Sequence, residues 1–182
     1  MLRTKDILDE KDPRVRAKNT DVDFPLNDEY KDIIPEMLKH LRYSQIEKLS
    51  KKYDLRPGMG LAAPQLGINK NFFVVCYEVK DGVFDDYILI NPKVISYSEE
   101  MIYAGEGEGC LSVNREVEGI VPRHARITVE AYDLDGNKRK YRVREDLAIA
   151  FQHELDHLNG ILFVDYIDPK YPYKNAELYR EI

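Results

Sequence analysis

Gln152-His153-Glu154-Leu155-Asp156-His157-Leu158-Asn159-Gly160, near the C-terminus, decides how the rest of this 182-residue chain is read. It holds two of the four histidines, placed i and i+4 with a glutamate between them. On an α-helix, residues four apart share a face, roughly 40° apart around the axis at about 3.6 residues per turn. Two imidazoles placed this way can hold one metal ion. Glu154, at the edge of that face, is better placed to work on a water at the metal than to ligate it. Leu147, Phe151, Leu155 and Leu158 recur at helical spacing and form the expected core stripe. Asp146, Ile149 and Ala150 run with His153 and His157 on another face, so the histidines are expected to look into a cavity. Asn159-Gly160 is a C-terminal stop.

The length predicts one domain spanning residues 1–182, with enough chain to bury a core. With 43% hydrophobic and 33% charged residues, the chain falls among soluble globular proteins. No apolar run approaches the roughly 18–20 residues of a membrane span, so no membrane partner is expected. Met1-Leu2-Arg3-Thr4-Lys5-Asp6 lacks the apolar core of a signal peptide, which points to the cytoplasm. In that reducing compartment the two cysteines, Cys76 and Cys110, are better read as thiols or metal ligands than as a disulfide. A net charge of −6 argues against direct nucleic-acid binding as the main activity, yet leaves room for docking to a nucleoprotein through a small basic patch.

Residues 1–27 are polar and broken by Pro13 and Pro25, and read as an irregular arm with one short helix near residues 13–18. Tyr30, Ile33, Ile34, Met37, Leu38 and Leu41 then mark a long amphipathic helix capped by Asn27 or Asp28, with Pro35 inside it as a kink or break. The pattern continues through Ile46, Leu49 and Tyr53. Pro57-Gly58-Met59-Gly60-Leu61-Ala62-Ala63-Pro64-Gln65-Leu66-Gly67 reads as a loop of small residues, in which Gln65 is the lone hydrogen-bonding side chain. Residues 72–79 and 87–92 are strands joined by a turn at Asp81-Gly82, the second continuing through residues 94–97. Cys76, inside the first of these strands, reads as a small buried hydrophobe.

Glu106-Gly107-Glu108-Gly109-Cys110-Leu111-Ser112 places the second cysteine in flexible backbone, where it can be presented to a metal or a substrate. Arg126–Tyr132 and residues 138–143 form a hairpin around Asp135-Gly136. Its outer face carries Lys138, Arg139, Lys140, Arg142 and Arg144, more simply a solvated face than a docking patch. Residues 161–166 read as a last strand, and residues 167–182 as a poorly ordered polar tail. The class is α+β, with mostly antiparallel sheets around a central C-terminal HExxH helix.

Three completions of the metal site compete. Glu177, twenty residues after His157, gives the ligand set of a zincin-like metallopeptidase, although Pro169 and Pro172 intervene. Cys76 and Cys110 together would close a structural Cys₂His₂ site and leave Glu154 without a task. Cys110 alone leaves a fourth position open to water and uses both glycine-rich loops. The third is preferred.

Residues 58–65, 108–112 and 152–160 resemble, in order, the three signature motifs of the peptide deformylases. The stretch between the helix and the first loop and the short C-terminal tail look like the second bacterial subclass. Asn114 stands where many members have proline. The resemblance implies one catalytic domain that removes the formyl group from the N-terminal formyl-methionine of new polypeptides and releases formate. It implies that Cys110, His153 and His157 bind one divalent ion, natively Fe2+, with Zn2+ or Ni2+ able to substitute. It makes Glu154 the acid–base group, and the Gln65 side chain with the Leu111 backbone N–H the oxyanion donors. It assigns substrate contacts to Gly58, Met59, Gly60 and Leu61 as an edge pairing with the peptide, to Glu108 and Gly109, to Ile149 and Ala150 in the methionine pocket, and to Arg115 at its mouth. Asp156 would orient a ligand or anchor the helix. The implied partners are N-formylmethionyl nascent peptides and, transiently, the ribosome, with the enzyme a monomer.

Overall fold

The computed structural model describes all 182 residues. After the arm, with 3-10 turns at Thr4–Asp6 and Pro13–Arg16, helix α1 spans Asp28–Gln45. The Asn27 side chain accepts the Glu29 N–H at 2.9 Å and caps it. Pro35 lies within the helix without ending it. The helical pattern does stop at Ile46, which is extended, and resumes as α2, Glu47–Tyr53. What reads in sequence as one helix is therefore two.

The main sheet has the order β1-β2-β3-β6-β7, antiparallel throughout: Gly60–Ala62, Phe72–Lys80, Val83–Tyr97, Arg126–Tyr132 and Lys138–Arg144. β2 shows no apolar–polar alternation over its first half because both faces are covered. Phe72, Val74 and Cys76 pack with Ile34, Met37 and Leu41 of α1. Phe73 and Val75 pack the other way, with Leu89, Val129 and Phe151. Asn91 explains how β3 continues past a proline. Its backbone takes φ 51°, which asparagine tolerates, and its side chain binds Val22 N and O at 2.8 and 2.9 Å. The β3–β6 register shifts beside it, between Ile90 and Lys93.

Helix α3, Glu145–Leu158, packs on this second face of the sheet. Phe151 is fully buried and meets Phe73, Tyr87 and Tyr141 edge-on. The expected stripe is only half correct. Leu147 and Leu155 are half-buried, while Ala148, Ile149, Ala150, Glu154 and His157 are buried. The helix is covered on two sides, so a single apolar stripe does not describe it.

A small second sheet has the order β5-β4-β8, from Arg123–His124, Met101–Tyr103 and Arg180–Glu181, with β8 parallel to β4. The tail is thus tied down. Arg180 bridges Glu145 and Glu100, each at 2.8 Å. The apolar run at residues 161–166 also departs from expectation, forming a 3-10 helix at Phe163–Tyr166. Asp165 reaches back to the Leu162 N–H at 2.9 Å, a local bond that competes with strand pairing. No helix is long and apolar enough to cross a membrane.

Candidate active site

α3 places His153 and Glu154 on the lining of a cleft of about 530 Å³, with buried His157 one turn on, and the loop between β4 and β5 brings Cys110 to them. One donor atom from each of Cys110, His153 and His157 lies within 4.8 Å of the others. Cys110 Sγ is 3.3 Å from His157 Nε2. A thiol with two imidazoles suits Fe2+, Ni2+ or Zn2+ and argues against Mg2+ or Ca2+. Glu177, on an exposed 3-10 turn, lies outside this group. Cys76 points to the α1 side of the sheet, so the closed four-ligand site does not form.

The cysteine loop is shaped from several directions. Gly107 turns with φ 80°, and its N–H reaches Ala104 O at 2.9 Å. Arg56 donates to the Cys110 carbonyl, and to Asn114 Oδ1 at 2.8 Å. The Ser112 N–H points to Cys110 Sγ at 3.4 Å. Behind the loop lies the arm: Leu8 N–H donates to Gln65 O at 2.8 Å, and Glu10 N–H to Ser112 O at 2.7 Å.

Gln65 is buried on the 3-10 turn Ala63–Leu66 that follows β1. Its Oε1 accepts the Ala62 N–H at 2.9 Å, which directs the NH₂ end toward Ser112 Oγ at 3.1 Å and Cys110 Sγ at 3.7 Å. The Leu111 N–H has no backbone acceptor.

Glu154 is 3% exposed, and its Oε2 has no hydrogen-bond partner. Burial pushes its carboxyl up to about 7. Gly60 makes this position possible, because a Cβ there would strike the Glu154 carboxylate.

Beneath the cluster lies an ionic network. Glu108 Oε2 is 2.8 Å from His153 Nδ1, which leaves Nε2 of that ring for a metal. The Arg123 Nε and Nη2 donate to Glu108 at 2.8 and 3.0 Å, and Nη1 to Asp156 at 2.5 Å. The Tyr166 hydroxyl donates to Asp156 at 3.1 Å, and its ring lies 5.0 Å from the Arg123 guanidinium. Burial pushes the Glu108 carboxyl up, but hydrogen bonds from His153 and Arg123 outweigh it and hold the group at about 2.

Gly58, Met59, Gly60, Glu108, Gly109, Ile149 and Ala150 line the cleft. Leu61 and Arg115 do not. The Leu61 side chain is fully buried in the α1-side core, because alternation along β1 turns it inward. Arg115 pairs with Glu10 at 2.7 Å, drawn to the arm that crosses behind its loop. Sequence reasoning missed Arg56 and Arg123. For Arg123 a signal existed: a lone cation after Ile120-Val121-Pro122 is a charge following a buried run. Arg56 carried none.

The model of the polypeptide deformylase family matches residues 4–172. A peptide deformylase of Macrococcus caseolyticus is 49% identical over 175 residues, covering 96% of this chain and 95% of that protein. A protein named peptide deformylase 2, from Bacillus anthracis, is 46% identical over 173 residues, covering 95% and 94%. Among solved structures, a probable peptide deformylase from Synechococcus phage S-SSM7 superposes with a TM-score of 0.73 at 35% identity, covering 88% of this chain and 98% of that one. The peptide deformylase of Thermotoga maritima gives 0.69 at 32% identity, covering 90% and 97%. The motifs separated in sequence and joined at one cleft, together with relatives that match nearly end to end, leave one assignment: this chain belongs to the polypeptide deformylase family.

Proposed function

We propose that Cys110, His153 and His157 hold a divalent ion, natively Fe2+, on α3 as the central catalytic helix, and that Glu154, Gln65 and the Leu111 amide carry the reaction of this deformylase. The protein is a metal-dependent hydrolase that removes the N-formyl group from the N-terminal formyl-methionine of new polypeptides. The observation that carries the site assignment is a thiol and two imidazoles within 4.8 Å of one another, beside a buried carboxylate with one free oxygen.

When bound, the ion supplies Lewis acidity, acidifying water and polarising the formyl oxygen. Glu154 accepts the proton of the attacking water at Oε2 and returns it to the leaving amine as formate departs. Gln65 Nε2 and the Leu111 N–H donate to the oxygen on which charge develops. β1 ends the sheet, so its outer edge is available to pair with an extended peptide through residues 58–60. Ile149 and Ala150 line the methionine pocket, with Glu108 and Gly109 at its side. A cytoplasmic monomer that meets nascent N-formylmethionyl peptides by transient docking at the ribosome belongs to the same reading.

The test is formate release from formyl-Met-Ala-Ser by enzyme loaded with Fe2+ or Ni2+ under anaerobic conditions. Release is expected to stop on chelation and to return with either ion. No release above a Glu154→Ala control overturns the reading. Glu177→Ala separates it from a zincin-like peptidase: metal and activity are retained here, and both would be lost there. Gln65→Glu keeps the acceptor for the Ala62 N–H and removes the donor. Its kcat is expected to fall by about 10²–10³ with little change in KM, measured on the same tripeptide.

A further inference from the structure

Gln65 and the Leu111 amide sit on separate elements, and one short stretch of the arm is bonded to both. Gln65 belongs to the 3-10 turn Ala63–Leu66, and Leu111 to the loop between β4 and β5. Leu8 N–H donates to the Gln65 carbonyl at 2.8 Å, and Glu10 N–H to the carbonyl of Ser112, next to Leu111, at 2.7 Å. No backbone hydrogen bond runs directly from turn to loop. The only side-chain bonds that do are those of Gln65 itself, to Ser112 Oγ at 3.1 Å and Cys110 Sγ at 3.7 Å. A donor that must also meet an oxyanion is a poor brace for its own position.

The stretch is fixed on both sides. Ile7 is buried in the same core cluster as Leu111, Val15 is fully buried, and the Arg14 carbonyl accepts from Asn69 Nδ2 at 2.9 Å. Two residues of chain span at most about 7 Å, so the bonds from Leu8 and Glu10 limit how far turn and loop can separate. The side chains of the stretch hold the loop as well. Asn114 Nδ2 donates to Asp9 Oδ2 at 2.6 Å, and Arg115 donates to the Glu10 carboxylate at 2.7 and 3.2 Å. Asn114 also accepts from Arg56, which donates to the Cys110 carbonyl. Pairs at the surface contribute little stability. What these fix is position.

We propose that Leu8–Glu10 is a strap that sets the spacing and aim of the two oxyanion donors, with Asp9, Glu10, Asn114 and Arg115 as positioning residues for the reaction. The inference rests on the reading of Gln65 and the Leu111 amide as those donors. It gives Arg115, which does not line the cleft, a role behind it. Misplacing a catalytic group by about 1 Å can lower a rate by about 10²-fold. The peptide edge at residues 58–60 and the methionine pocket make no bond to the strap, so substrate binding should be spared.

The test is steady-state formate release from formyl-Met-Ala-Ser by metal-loaded enzyme, with metal content and thermal unfolding measured on each preparation. Asn114→Asp/Arg115→Glu sets carboxylates against Asp9 and Glu10. Its kcat should fall by about 10–100-fold with KM within about twofold of the parent. Metal content should be unchanged and the unfolding midpoint shifted by less than about 4 °C. Adding Asp9→Asn/Glu10→Arg re-forms both pairs with the partners exchanged, and kcat should return to within about threefold of the parent. Glu10→Pro removes the N–H to Ser112 and should lower kcat in the same way. In the Gln65→Glu background, Asn114→Asp/Arg115→Glu should cost at most about fivefold more, since one donor that it misaims is already gone.

A kcat within about threefold of the parent in Asn114→Asp/Arg115→Glu overturns the inference. So does a loss that the exchange does not restore, a loss carried by KM or by lost metal, an equal loss in the Gln65→Glu background, or a parental kcat in folded Glu10→Pro. Should Glu10→Pro not fold, the exchange of the surface pairs decides alone. A parent that releases no formate overturns the deformylase reading, and a Gln65→Glu enzyme with parental kcat overturns the oxyanion reading. The strap falls with either. An active parent, slowed by Gln65→Glu but not by the strap variants, overturns the strap alone.

Discussion

Glu154→Gln lowers formate release by about 10²–10⁴-fold and leaves the metal bound, because it removes a proton carrier without touching a ligand. The side chain is 3% exposed, and its Oε2 makes no bond that the amide would break. The thiol and imidazole donors, gathered within 4.8 Å, remain as they are. Gln and Glu have the same shape, so the close approach of Gly60 to the carboxylate is preserved as well. The unfolding midpoint should therefore not fall. Activity, metal content per chain and thermal unfolding, measured on one preparation, check all three statements. Activity within tenfold of the parent, or loss of metal, would remove Glu154 from its proposed role.

Arg123→Met is expected to cost about 3–5 kcal/mol of stability, the range for breaking a buried ion pair from one side. The guanidinium is 3% exposed and the Glu108 side chain 5%. Removal leaves the buried Glu108 carboxylate and the half-buried Asp156 carboxylate facing an apolar side chain. It also frees Glu108, the group that fixes His153 Nδ1 at 2.8 Å. Metal affinity should fall by about 10–100-fold, as when other partners of ligating histidines are removed. Adding Glu108→Met should recover much of the stability, since a packed apolar pair can replace a buried ionic one, but not the affinity. Urea unfolding of the chelated protein separates the fold from the metal, and competition with a chelator of known affinity gives the second number. A loss below about 1 kcal/mol, ordinary for an exposed pair, would mean the network does not support the site.

Local physics was legible along the chain. The α3 pattern, the turns at Asp81-Gly82 and Asp135-Gly136 and the strands they join depend on spacing and turn chemistry within a few residues. Those signals sufficed for an α+β chain with antiparallel sheets. The three loop and helix motifs were legible because close backbone approach needs Gly58 and Gly60, and a thiol with His153 and His157 is a donor set that can hold a metal.

Other features depended on partners far away in sequence. The tail is held by β8 pairing with β4, beside which Arg180 meets Glu145 and Glu100, and no local pattern foretells either. Arg115 turns away from the cleft toward Glu10, at the far end of the chain. Leu61 belongs to the core because α1 covers its side of β1. Arg123 is buried because Glu108 and Asp156, from two other elements, meet it there.

By itself, then, the sequence determined which residues were candidates for the chemistry: short-range periodicity and donor type marked the helix, the hairpin strands, the candidate ligands and the candidate base. Only the tertiary structure decided which polar side chains hold that chemistry in place and which merely lie near it in the chain. A buried charge is stable only where long-range packing supplies its counter-charge.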